Sequence, residues 1–422
     1  MRQRIGYLGT AGLVVAMAVP AAAGEFNPLG DGSGANNIDL LRDATTGCEN
    51  CAPVPPREWG APPFEIDWRL ALRGAVIEGS SGTRFEAIAL PSFSLTHQHL
   101  RGSFSVGADA EIDYRLDGNV RVGSLGVTAS TDYRIDALTT TTLKGSFGLS
   151  QGDPDAPGMP VNVKVAPLVT SGQGAATLTR DFGPWLVELR GDVARTAHSD
   201  TVYDDDTTSS NAFQNLTSVG GGGRLGLRLG PILTGFVDGE AEYELYDEAS
   251  PSLLVRLDNL TLSGRSGLTA RFGEVLKLEG SLGLGYRAFA DAGLSDLATV
   301  LYDASAVYRP DETVALSAAF TTALSSPGTT SGARAKVTYA ASAEASYRVN
   351  PWLSLRGSAS WSEVHYWGID TDEYGWGLGA GADYQLGEHT ALTADYAFSR
   401  STTTPDPAED QHRVTLGVSF SR

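Results

Sequence analysis

Cysteine is almost missing from this 422-residue chain, which has only Cys48 and Cys51, with Glu49 and Asn50 between them. Two cysteines exclude a disulfide-stapled scaffold and the four-cysteine zinc modules. In an oxidising compartment the pair reads as one small disulfide. A redox or partner-linked role and a metal site are the other readings. The first would call for a βαβ context and the second for two further ligands, and no histidine lies nearby. Histidine is also scarce: His97, His99, His198, His365, His389 and His412. A Ser–His–acid cluster needs three groups within reach of one another. The one pairing worth naming, His365 with Ser362, falls on opposite faces of an extended strand. His97 and His99 share a face but lack a third ligand. Tyr203-Asp204-Asp205-Asp206 lacks the alternating ligands and glycine of an EF-hand. No enzymatic activity, cofactor or resident metal is therefore expected. Charged residues make up 19% of the chain, below the globular average of about 25%. The formal charge of −19 argues against nucleic acid as a partner. Helix-period apolar stripes are few after the first dozens of residues, and no later segment offers a spanning helix.

The first 23 residues follow a different pattern. Arg2 and Arg4 precede an apolar run from Ile5 to Pro20, and Ala21-Ala22-Ala23 supplies small residues for cleavage. This is the pattern of a secretory signal peptide. Residues 24–63 are rich in Gly, Asn, Asp and Pro and read as a periplasmic segment, either extended or partly plugging the domain after it; disorder is the other reading.

From residue 64 the dominant signal is strict alternation. Val337, Tyr339, Ala341, Ala343, Ala345 and Tyr347 share one parity, and Lys336, Thr338, Ser342, Glu344, Ser346 and Arg348 the other. Alternate side chains of a strand point to opposite faces, so such runs have one apolar and one polar face. Repeated runs of about ten residues with this pattern predict an all-β fold, a transmembrane antiparallel up-and-down β-barrel with lipid outside and a lumen inside. About eighteen strands are expected over 64–422, with sixteen as the alternative, and Gln151–Gly174 holds a further valine run that reads as a strand or a loop folded into the lumen. Short turns such as Gly230-Pro231 and Asn350-Pro351 alternate with long loops such as Thr196–Asn215 and Ser401–His412. Short periplasmic turns and long outer loops are the usual asymmetry. An exported chain without a helical anchor belongs in a bacterial outer membrane. Its surroundings would be lipid and lipopolysaccharide, and it would be inserted by the barrel-assembly machinery.

Parity assigns a set of charged residues to the lumen. The cations are Arg190, Arg224, Arg228, Arg265, Lys277, Arg287 and Arg356. The anions are Asp238, Glu240, Glu242, Glu279, Asp303, Glu344, Asp383 and Asp395. Interleaved signs fit a hydrophilic pore with a transverse field. They fit equally a wall that pairs its charges internally and leaves no continuous path. Phe236 points inward, marking a constriction or a one-residue slip of register near Gly230-Pro231.

Several local patterns carry a family resemblance. Tyr133-Arg134, Tyr308-Arg309 and Tyr347-Arg348 close strands before tight turns. Tyr308-Arg309-Pro310-Asp311-Glu312-Thr313 and Val349-Asn350-Pro351-Trp352-Leu353-Ser354-Leu355-Arg356-Gly357-Ser358 are two longer ones, and His412-Arg413-Val414-Thr415-Leu416-Gly417-Val418 is the ending. With these the chain resembles the outer-membrane porin family called β-barrel porin 2, over nearly all of its length after about residue 64. The resemblance implies a porin or a channel for exopolysaccharide secretion, the latter working with a periplasmic export complex. A structural or adhesive barrel with a plugged lumen is the alternative function. One departure is that Phe420 is followed by Ser421 and Arg422, whereas many outer-membrane barrels end on the aromatic residue itself.

Overall fold

A computed structural model describes residues 64–422 apart from 80–81, 116–119, 153, 155–161, 329–331 and 405–406. The stretch read as a signal peptide, the 24–63 segment and the Cys48–Cys51 pair lie outside the described residues.

The alternating pattern produces long strands. In chain order they are β1 (Glu65–Gly79), β2 (Gly82–His99), β3 (Gly102–Arg115), β4 (Val120–Arg134), β5 (Thr139–Gln151), β6 (Val163–Val165) and β7 (Leu168–Phe182). Next come β8 (Trp185–His198), β9 (Thr201–Tyr203), β10 (Thr208–Ser209), β11 (Leu216–Arg228), β12 (Leu233–Tyr246), β13 (Asn259–Phe272) and β14 (Leu276–Phe289). The remainder are β15 (Leu297–Tyr308), β16 (Val314–Ser325), β17 (Ala335–Asn350), β18 (Leu353–Trp367), β19 (Asp372–Gly387), β20 (Thr390–Thr403) and β21 (Glu409–Ser421). Eighteen of these form one antiparallel sheet. Each pairs with the next in sequence, and β21 pairs with β1 from Arg69↔Ser421 to Glu78↔His412. The sheet is thus a closed meander, with no free edge at its join.

The eighteen-strand expectation holds and the sixteen-strand alternative does not. Val120–Arg134 and Leu233–Tyr246 begin and end where the sequence pattern places them. Three segments differ most, the first being the Ser401–His412 loop, of which Ser401–Thr403 and Glu409–His412 belong to β20 and β21. Strand β7 begins at Leu168, because Thr170 to Gly174 pair with β5 despite having little apolar signal. Residues 253–258, whose leucines continue the apolar signal leading into β13, form a loop. There Asp258 accepts a hydrogen bond from the Tyr246 amide at 2.8 Å. Val163 and Val165 of the 152–167 connection supply β6, which joins β9 and β10 in a separate three-stranded sheet. No register slip occurs at Phe236; the β11–β12 and β12–β13 ladders run through it without interruption.

The outer face carries exposed Leu, Val and Phe, with Leu189, Val237, Leu268, Leu282 and Leu284 among them. Aromatic residues bound this band. Phe182, Trp185, Tyr308, Tyr347, Trp352 and Tyr384 stand near the short turns, and Tyr243, Tyr286, Trp367 and Trp376 near the long loops. Paired aromatic girdles around an apolar band are how a barrel meets both membrane interfaces. Strand parity fixes the opposite face as the inside.

Candidate functional site: the inner wall and the hairpin that crosses it

The inner charges lie along the wall and reach over intervening strands. Arg190 on β8 bridges β11 to meet Asp238 on β12 at 2.5 Å, and also approaches Glu188 at 3.5 Å. The strand between offers Gly222 opposite Arg190, and a side chain there would meet the β12 backbone at 2.8 Å. Arg265 on β13 steps over β14 to Asp303 on β15 at 2.7 Å. Arg356 on β18 holds Asp383 on β19 at 2.9 Å and Asp395 on β20 at 2.7 Å. Arg224 on β11 reaches furthest, to Glu279 on β14 at 2.8 Å. On the way its guanidinium lies 3.5 Å from the centre of the Phe236 ring. The ring itself lies over Gly267, where a methyl group would sit 2.5 Å from its edge and 2.3 Å from the Gly280 carbonyl. Phe236 therefore lies flat between a glycine and a cation and does not project across the lumen. Gly267→Ala is expected to destabilise the barrel by about 1–3 kcal/mol through overpacking. Urea unfolding in detergent would measure it, with Gly280→Ala, which meets nothing within 4 Å, as the control.

The remaining sequence-assigned residues occupy other parts of the wall. Arg228 sits at the rim of the short-turn end, paired with Asp181 at 2.5 Å. Lys277 stands opposite Arg271 and Val307 near the same end. Glu240, Glu242 and Glu344 share the inner face but form no ion pair among the described residues. Glu240 and Glu242 face Gly222 and Gly220, and Glu344 faces Ser317 and Ser358. A hydroxyl-rich sector lies between these charged regions, where β5 and β7 present Thr142, Ser146, Ser171, Gln173 and Thr177 around one cation, Lys144. His365 does lie on the face opposite Ser362; its ring meets Glu363 at 2.9 Å and Asp372 at 2.7 Å.

Sequence reasoning missed the feature that most shapes the lumen. Strands β15 and β16 pair over only five residues, from Ala304↔Phe320 to Tyr308↔Leu316, although each is twelve residues long. Above that point β16 parts from β15 and, with β17 still laddered to β18 from Ala335↔Trp367 onward, lies on the inner side of β15. Leu297 and Leu301 belong to the inner face, because they pair with Arg287 and Gly283. Yet Leu297 packs with Ala335, Val337, Leu324 and Tyr339. Of these, Val337 and Tyr339 have the parity that faces lipid elsewhere on β17. Val337 is only 3% exposed.

The tip of the hairpin is fastened at both sides. Ser326 donates to Glu244 on β12 at 2.7 Å, with three strands between β12 and β16. Glu244 Oε2 also accepts from Asn259 at 2.8 Å and from Arg287 at 3.2 Å. On the other side Ala333, fully buried, packs against Val364 and Tyr366 on the inner face of β18. Ser326 thus reaches the wall at β12 and Ala333 at β18. Strand parity assigns Glu244, too, to the lumen. Its neighbours Glu240 and Glu242 carry the same parity signal, and only the fold brings Ser326 to it.

The long-loop mouth has an ionic clasp of its own. Lys164 on β6 binds Asp206 at 2.7 Å. The lysine holds the Asp206 carboxyl below the ordinary aspartate range, first by the hydrogen bond and then by charge, and the same contact raises the amine. A lowered carboxyl pKa stabilises the folded loop fully above the usual aspartate value of about 3.9, and that stabilisation is lost as pH falls through the folded value. Exchange protection of the Val163 and Val165 amides, corrected for intrinsic rate, is expected to hold from neutral pH down to about 4 and to fall below it. Asp206→Asn should give the low-pH behaviour at neutral pH.

The sequence matches the family described as "Putative beta-barrel porin 2" over residues 78–422. No curated protein matches the chain. Among solved structures, OccK3 (OpdO) of Pseudomonas aeruginosa is 14% identical, covering 85% of this chain and 96% of that one at a TM-score of 0.43. The siderophore receptor PirA of the same organism is 10% identical, with 85% and 80% covered and a TM-score of 0.43. The FrpB iron transporter of Neisseria meningitidis is 12% identical, covering 80% of this chain at a TM-score of 0.42. The match spans 62% of the FrpB chain, less than two thirds of it. At such identities these likenesses carry nothing about cargo.

Proposed function

The chain belongs to the family described as "Putative beta-barrel porin 2", an outer-membrane β-barrel family, and from that premise we propose that it is a channel passing hydrophilic solutes through its lumen. One observation carries this: the inner charges are paired along the wall, strand to strand, rather than across the barrel. An eighteen-stranded wall is too wide for its own side chains to fill, so flat pairing leaves the middle for water. Charges of both signs then set a transverse field at the wall.

The fitting solutes are small, polar and of either sign. Exopolysaccharide is the finer alternative. The hydroxyl-lined sector of β5 and β7 would suit a sugar chain, and such export would engage a periplasmic complex at the short-turn end. Of the inward aromatics, Phe236, Tyr246 and Tyr366 are buried in packing and Phe289 is held against the Leu297 cluster, which favours small solutes. In this arrangement the short turns face the periplasm and the long acidic loops face lipopolysaccharide.

Single-channel recording of the folded protein in a planar bilayer tests the proposal. Stable steps are expected, and Arg224→Ala should shift ion selectivity toward cations by leaving Glu279 without its guanidinium. The second reading, a plugged barrel serving structure or adhesion, is favoured by the hairpin lying along the inner wall. Silence from protein whose folding is confirmed by heat-modifiable gel mobility would select that reading.

A further inference from the structure

The β16–β17 hairpin is in one place while its sequence is patterned for another. The paired register, Ala304↔Phe320 and its neighbours, extrapolates to Tyr302↔Thr322 and Val300↔Leu324. In that continuation Val300, Tyr302, Leu324, Val337 and Tyr339 would all face lipid. Thr321, Ala323, Ser325, Lys336 and Thr338 would face the lumen. Alternation therefore persists through the half of the hairpin that has parted from β15, as if the full ladder were to form.

The inner position has a cost that is visible in the structure. A strand needs about nine to eleven residues to cross a membrane, so a ladder of five pairs stops about halfway. Beyond it the facing edges of β15 and β16 do not pair with each other at the depth of the outer leaflet, where unsatisfied backbone groups are expensive. Thr322 compensates in part. Its hydroxyl accepts from the Tyr302 amide at 3.2 Å and donates to the Tyr302 carbonyl at 3.0 Å. Its own amide donates to Asp303 at 3.3 Å. Thr322 is 2% exposed and fills the point where the ladder ends. What offsets this cost is the Glu244 cluster with Asn259, Arg287 and Ser326, together with the apolar contact on Leu297.

We infer that the loop-side halves of β16 and β17, hinged along the unbroken β17–β18 ladder, form a gate with two seats. The first is the inner seat described above, fastened on Glu244. The second is a wall seat, in which the hairpin swings outward and completes the β15–β16 ladder. Glu244 is the positioning residue of the inner seat. Moving to the wall seat exchanges its hydrogen bond from Ser326 for ladder bonds along β15, and the buried apolar cluster for contact with lipid. The same motion removes the hairpin from the lumen and widens the channel. This inference rests on the channel function proposed above for its consequence, but not for the motion itself.

A double variant, Val300→Cys with Leu324→Cys, tests it in the full-length protein. In the inner seat these positions lie on opposite sides of β15, with Val300 toward lipid and Leu324 in the inner cluster. In the wall seat they are direct cross-strand neighbours. Oxidation, or a short bismaleimide spacer, should join them, and mass spectrometry of the digested protein should find the linked peptides. The linked form should conduct in larger steps, and oxidised protein should return to the original step size on reduction. Ser326→Ala, which removes one hydrogen bond and no charge, should raise the rate of linking. A folded protein in which both thiols react singly but never link would overturn the gate. Linking that leaves the conductance unchanged would overturn its role in opening. Linking in a protein that never conducts would retain the motion and reject the channel, so the two failures are separable.

Discussion

Arg287→Met is expected to lower the free energy of unfolding by about 3–5 kcal/mol, the usual result of stripping one partner from a buried ion pair. The Arg287 side chain is 1% exposed and that of Glu244 8%. Removing the guanidinium leaves the buried Glu244 carboxyl with only Asn259 and Ser326 to donate to it. The control is Arg228→Met, whose partner Asp181 lies at the exposed rim. That pair is wet, and its loss should change stability by no more than about 1 kcal/mol. Urea titration of both variants, with the folded fraction read by heat-modifiable mobility, compares them directly. Adding Glu244→Gln to Arg287→Met should recover part of the loss, because it removes the stranded charge. Equal effects of the two arginine substitutions would show that the Glu244 cluster is as wet as the rim.

Leu282→Arg should be of similar size for a different reason. Leu282 is exposed on the outer face near the middle of β14. An arginine there must be driven into hydrocarbon, at about 2–4 kcal/mol near the midplane of a barrel strand. Its neighbour Ser281 points inward, where it donates to Asp303 at 3.4 Å. Ser281→Arg should be tolerated far better, since the new cation meets a carboxylate in a polar lumen. Folding titrations of the two variants into lipid vesicles therefore read which face is which, one residue apart. If Ser281→Arg were the worse of the two, the faces would be reversed.

The barrel was legible because its signal is local. Period-two alternation in Tyr374 to Tyr384 or Ala335 to Arg348 needs no knowledge of the rest of the chain. The count of eighteen followed from turns such as Gly230-Pro231 that punctuate it. Boundaries were lost where composition and structure part company. The Thr170–Gly174 stretch is too polar to look like a strand, and Leu253 and Leu254 are too apolar to look like a loop. The inner charges were legible by parity, but not by partner. Nothing in the sequence says that Arg224 meets Glu279 across two strands, or that Arg190 passes Gly222 to reach Asp238. The hairpin was illegible for a stronger reason. Alternation reports that two faces differ, not where the strand pair is seated. The pattern around Val337 is that of a lipid-facing strand, and the fold places it against Leu297.

Closure by β21 on β1 sets the order of events in assembly. Arg69 meets Ser421, so the last ladder to form joins residues from opposite ends of the barrel sequence. Every other ladder can zip between sequence neighbours as they become available. Until the last one forms, the growing sheet keeps two open edges, each a template for another chain. It loses both in the same step. Maturation of this barrel is therefore expected to end in a single late event, with few stable species between an open sheet and the finished cylinder. A lesion in β1 or β21 should trap chains at that point, whereas one of equal severity in a middle strand should slow them earlier. Pulse–chase folding of the two kinds of variant would separate them by whether the accumulating species is protease-resistant along the middle of the chain and sensitive only at its closing strands.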